Sequence, residues 1–136
     1  EPVPGGALTP WPGTEGGPAV LLGAWRNRRW IVYAAEQCAG WIASGLYPKP
    51  EELEAGMRMY RDAGGQRAIL SNVIIALDPA SEAAERAASA TVTLTGGEAG
   101  AREQLRWIRD VGFDDVLCMA TLDALDDLER VRDAAA

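Results

Sequence analysis

The chain has 136 residues, 48% of them hydrophobic and 24% charged, with thirteen Lys and Arg against twenty Asp and Glu, a net charge of -7 and no histidine. That length suits one domain with a real core, and the composition lies far from that of disordered chains. The acid excess argues against nucleic acid as main partner, since phosphate neutralisation needs a basic face, and the missing imidazole removes Ser-His-Asp triads, Cys-His dyads and His-ligated metal sites.

Carboxylate, hydroxyl or cofactor chemistry remains. Cys38 and Cys118 each sit in an apolar stretch, as reduced core thiols of a cytoplasmic protein would. The longest apolar run, around Val73–Leu77, is far too short to span a membrane. Pro2, Pro4, Pro10 and Pro12 with their glycines mark residues 1–17 as an irregular loop with no signal-peptide pattern. The first residue is Glu1 rather than Met, which suits a piece of a longer protein.

After the loop, Ala19-Val20-Leu21-Leu22-Gly23 reads as a strand buried on both faces. Asn27 suits the N-cap of a helix reaching Gln37, with Trp30, Ala34 and Cys38 at helical spacing and Gly40 as its stop. Gly40–Ser44 is a second strand, closed by Gly45. A helix then opens at Pro50, carries Glu51 and Glu52 where acids complement its dipole, aligns Leu53, Met57 and Tyr60, and ends at Gly64-Gly65.

Arg67 to Leu77 holds the strongest strand signal, in Val73–Leu77, and Asp78-Pro79 turns it. Ser81 can cap an Ala-rich helix to about Ala90, and Thr91–Thr95 is either irregular or a short extra strand. The next helix, from about Glu98 to Val111, puts Ala101, Leu105 and Ile108 on one side and stops at Gly112. Asp115–Ala120 is the last main strand. Asp123, Asp126 and Asp127 open a final helix with Leu125, Leu128 and Val131 facing inward.

The chain thus reads β-α four times, which demands a parallel sheet with right-handed crossovers. Either a small doubly wound sheet or half of a (β/α)8 TIM barrel, with parallel strands and outer helices, satisfies this. A lone half barrel exposes two parallel edge strands, so it calls for a missing half or a second copy.

The most informative stretch is Gly23-Ala24-Trp25-Arg26-Asn27-Arg28-Arg29. Three of thirteen basic residues fall within four positions at a helix start, where cations oppose the dipole. The placement makes sense if an anion binds there, and Gly23 would let backbone approach it. The bland reading is a solvated turn whose arginines pair with acids elsewhere. Ala43-Ser44-Gly45 offers a hydroxyl and a permissive glycine at the strand ends where α/β ligands bind.

Ser71 and Asn72 lie among apolar neighbours, and a buried Asn in a strand must find partners. Trp25 and Trp41 could line a pocket for a flat ring, although packing is the simpler role for them, as for Trp30, Tyr60 and Trp107. Asp114, Asp115, Asp123, Asp126 and Asp127 read as caps and first-turn acids rather than a metal cluster.

Pro18 to Trp25, the helix end Ala34-Ala35-Glu36-Gln37-Cys38-Ala39-Gly40, the following Trp41-Ile42, Glu51 to Gly64 and Arg106 to Met119 together resemble the C-terminal half of the luciferase-like monooxygenases. The resemblance covers residues 18–136. It implies strands five to eight of a (β/α)8 barrel and an oxidoreductase using FMN or coenzyme F420 on a small-molecule substrate. It also implies a cofactor phosphate held by Gly23, Ala24, Trp25, Arg26 and Asn27, with Ala43, Ser44 and Gly45 nearby. The chain has Gln37-Cys38-Ala39-Gly40 where many relatives carry Asp before Gly, and Trp25-Arg26 in place of a Ser-containing turn, so FMN and F420 both stay open. Relatives place several catalytic residues in strands one to four, outside this chain. The rival readings are a non-catalytic, self-associating α/β half-barrel module and a different phosphate-binding barrel enzyme.

Overall fold

The computed structural model describes residues 18–135, so the loop expected over residues 1–17 lies outside the described residues. Its elements run β1 (Leu21–Gly23), α1 (Arg28–Gln37), β2 (Gly40–Ser44), α2 (Pro50–Asp62), β3 (Ala68–Ala76), α3 (Glu82–Ala87), β4 (Thr93–Thr95), α4 (Gly97–Val111), β5 (Asp115–Met119), a single 3-10 turn (Leu122–Ala124) and α5 (Asp126–Ala135).

All strand pairs are parallel. β1 lies on β2, and β2 on β3, with Trp41 opposite Ala68 and Ser44 opposite Ser71. Ile69 and Leu70 pair with both β2 and β5, so those strands occupy opposite edges of β3. Ile74 pairs with both β4 and β5, which puts β4 on the same edge as β2. Gly45 makes the handover: its N–H donates to the Ser71 carbonyl and its own carbonyl accepts from Val92. The segment Thr91–Thr95, open between two readings in the sequence, therefore holds a short strand that continues the line of β2.

Which faces are covered decides the architecture. Leu22, Trp41, Ala43, Leu70, Val73, Val116 and Cys118 pack in one core with residues of α1, α2, α4 and α5. Four helices thus sit on one face, whereas a doubly wound sheet is covered on both. On the opposite face, among the described residues, only a small cluster, Ile74 and Ala76 with Ala83 and Ala87 of α3, closes the C-terminal end of β3. The fold is half of a TIM-barrel-like α/β architecture.

Local chemistry explains most element ends. Asn27 caps α1, its side chain accepting from the Arg29 N–H. Pro50 starts α2, where Glu52 accepts from the Lys49 N–H. Gly112 ends α4 at φ 108, a conformation glycine adopts without strain.

Several expectations need correction. β1 begins only at Leu21, and Leu21 and Leu22 are half-buried with Gly23 exposed, because it is an edge strand with no neighbour beyond it. Helix α1 closes at Cys38, and Gly40 starts β2 instead of stopping the helix. Ser81 makes no side-chain cap; its hydroxyl donates to the Asp78 carbonyl, and α3 ends at Ala87. Asp123 lies in the 3-10 turn ahead of α5. Leu125 and Leu128 are exposed, since α5 buries Asp127, Val131 and Ala134 instead.

Candidate functional site

The loop from Gly23 to Asn27 is pinned at its base and open above. The Ala24 N–H donates to the Ile42 carbonyl and the Ala24 carbonyl accepts the Trp41 indole N–H at 2.8 Å. Trp41 itself is core, stacked among Tyr60, Phe113 and Gly56, so it anchors the loop and lines no pocket. Beyond Ala24, the backbone N–H groups of Trp25, Arg26, Asn27 and Arg28 donate to nothing among the described residues. Free donors at a helix start are the elementary parts of an anion site.

The arginines divide. Arg26 lies 4.5 Å over the Trp25 ring and pairs with Glu52 at 3.1 Å. The Lys49 N–H, and after it Arg26, hold the Glu52 carboxyl below its ordinary range. Arg28 and Arg29 have no acidic partner among the described residues and lie with Val32, Tyr33 and Glu36 along the outer side of α1. Arg29 stacks on Trp30. The solvated-turn reading thus describes Arg26, and the unspent charge belongs to Arg28 and Arg29.

The second loop meets the first through aromatics. Trp25 and Tyr47 rings stand 5.6 Å apart, both exposed at the C-terminal ends of β1 and β2. Nothing in the sequence singled out Tyr47, since its role comes from the ring opposite it. Of Ala43, Ser44 and Gly45, Ala43 points into the helix-side core, Ser44 lies on the open face and Gly45 is buried at the handover to β4. A Cβ on Gly45 would stand 3.3 Å from the Val92 Cβ and 3.4 Å from the Ser71 and Asn72 carbonyls, a close but not forbidden fit.

Asn72 has the partners expected of it. It stands at φ 59 in a bulge where Ser71 and Asn72 together face the single residue Leu117 of β5. Its amide donates to the hydroxyls of Ser44 at 3.3 Å and Ser71 at 3.2 Å. The bulge turns Asn72 to the open face, where strict alternation would have aimed it at the helices.

The acids serve the opposite end of the sheet and its flank. Asp114 binds the Ala68 N–H and Arg61, and Arg67 pairs with Asp115. Asp127 is a buried acid rather than a solvated one, accepting from the Leu77 N–H and from Arg130.

Among solved structures, the chain is similar to the monooxygenase RslO1 from Streptomyces bottropensis, with TM-score 0.58 and 22% identity over 87% of this chain and 45% of that one. The fold is monooxygenase-like. It is also similar to MsnO8 in its apo form, with TM-score 0.57 and 15% identity over 91% of this chain and 51% of that one. The chain therefore spans about half the length of the solved proteins it matches. No family model and no curated protein matches the sequence. Among the described residues no helix is long and apolar enough to cross a membrane.

Proposed function

We propose that residues 18–136 are the C-terminal half, strands five to eight, of a luciferase-like oxidoreductase that uses FMN or F420, with the cofactor phosphate on the Gly23–Asn27 loop. The observation that carries this reading is the set of four N–H groups at the head of α1 that have no partner among the described residues, beside two arginines with no acidic partner there, in a chain of net charge -7. Donors and cations left unspent in an acidic protein fit a phosphate. The monooxygenase fold of RslO1 and the resemblance of Pro18–Trp25 and Arg106–Met119 to the luciferase-like family support the same assignment.

In this reading the backbone N–H groups of Trp25 to Arg28 donate to the phosphate, Arg28 and Arg29 swing to neutralise it, and of Ala43, Ser44 and Gly45 it is Ser44, on the open face, that borders the cofactor. Arg26 keeps Glu52 from repelling the anion. A bound reduced flavin or deazaflavin supplies hydride, or electrons for dioxygen, and the protein supplies position and electrostatics. The residues of the missing half complete the substrate pocket.

The test is fluorescence titration with FMN, F420 and riboflavin, which lacks the phosphate. FMN or F420 should bind more tightly than riboflavin. Arg28→Ala with Arg29→Ala should remove that advantage, on the order of tenfold for each charged hydrogen bond to the phosphate. Arg26→Ala should also weaken binding, by freeing Glu52, at little cost to stability because its ion pair is exposed. Equal affinity for FMN and riboflavin would reject the phosphate assignment.

A further inference from the structure

We infer that Asn72 and Ser44 form a reader for an imide edge, the adjacent C=O and N–H of a pyrimidinedione ring. The inference rests on the flavin or deazaflavin reading above and names the protein groups that would grip the ring rather than the phosphate.

The hydrogen atoms in the cluster can be assigned. The Ser71 hydroxyl donates to the Ala43 carbonyl at 2.8 Å, so its oxygen can only accept from Asn72. That fixes the Asn72 amide with its NH2 toward the two serines. Both amide hydrogens are then spent, one on Ser71 and one on Ser44. The Ser44 oxygen accepts twice, from Asn72 and from the Leu46 N–H at 3.3 Å, which leaves its own O–H free to donate. The Asn72 side-chain oxygen has no partner among the described residues.

The cluster therefore presents one hydroxyl donor beside one carbonyl acceptor, both half-buried on the open face at the C-terminal end of β2. An imide edge is the complement, its C=O taking the Ser44 proton and its N–H meeting the Asn72 oxygen. Flavins and deazaflavins share that edge, so the pair serves either.

The backbone supports a dedicated role. The bulge and the positive φ, which asparagine tolerates, together bring Asn72 to the open face. A purely structural amide would need no unspent acceptor.

The test uses the chain itself with riboflavin and 3-methylriboflavin, whose imide N–H is blocked. Wild type should bind riboflavin roughly three- to tenfold more tightly than the methylated ring. Asn72→Gly, which keeps the positive φ at no steric cost, should abolish that preference, and Ser44→Ala should weaken both ligands. Equal binding of the two rings by wild type overturns the inference without needing any variant to fold, as does an unchanged preference in Asn72→Gly or the absence of ring binding. The phosphate assignment fails separately, through the FMN-against-riboflavin comparison and the Arg28 and Arg29 variants.

Discussion

Thr121, just past the end of β5, carries a buried hydroxyl with no hydrogen-bond partner among the described residues. An unsatisfied buried hydroxyl costs more than the methyl that could replace it. Thr121→Val keeps the shape and suits the extended backbone there, at φ -83 and ψ 163. It should raise stability by about 1 kcal/mol, read as a higher denaturation midpoint; a loss would mean that the hydroxyl has a partner in the working protein. Asp114 gives a pH prediction. Partial burial pushes its carboxyl up, but the Ala68 N–H and Arg61 outweigh that and hold it below the ordinary 3.8. A depressed carboxylate stabilises fully above its unfolded value, and the gain is lost as pH falls through the folded one. Melting temperature should therefore drop as pH falls below about 4, and less steeply in Asp114→Asn.

Packing between elements sets the next scale, and Gly56 is its sharpest case. It lies inside α2, where Ala would gain about 1 kcal/mol of helix propensity. A Cβ there would stand 2.9 Å from Trp41, whose ring is 1% exposed and whose N–H is held by Ala24. The ring has nowhere to go, and overpacking of this kind costs roughly 1–3 kcal/mol. Gly56→Ala should thus be destabilising overall, as chemical denaturation would show; a stabilised variant would mean that the ring yields. The same scale separates what the residues announced from what they hid. Asn27, Pro50 and Gly112 act through local geometry, and each marks an element end where the sequence put it. The exposure of β1 and of Leu125 and Leu128 depends on neighbours that periodicity does not see. The bulge at Ser71-Asn72 had no signature beyond an asparagine, a residue that tolerates positive φ. The pairing of Arg26 with Glu52, twenty-six positions away, is likewise set by the fold and has no mark in the sequence.

At the scale of the whole molecule, the described residues leave two parallel edges unpaired, with apolar surface beside both. Trp30 and Tyr33 are exposed on α1 next to β1, Leu117 at 52% is exposed on β5 itself, and Leu125 and Leu128 are exposed at the start of α5. Strand edges and apolar patches of this kind mark surfaces that pair. Four further β-α units would cover both edges at once, which accords with solved relatives of about twice the span. In the proposed reading a second copy would substitute for that half, since the open edges and apolar patches of one copy would meet those of the other. The isolated chain should therefore show a mass and a melting temperature that rise with concentration. Leu125→Glu with Leu128→Glu should shift light scattering toward the 14.5 kDa monomer without lowering the monomer's own stability, since neither side chain is core. Co-expression with the preceding half should displace the self-associated form and bind FMN or F420 more tightly. If the chain is monomeric at every concentration and the preceding half does not bind it, these faces are ordinary surface and barrel closure is the wrong account of them.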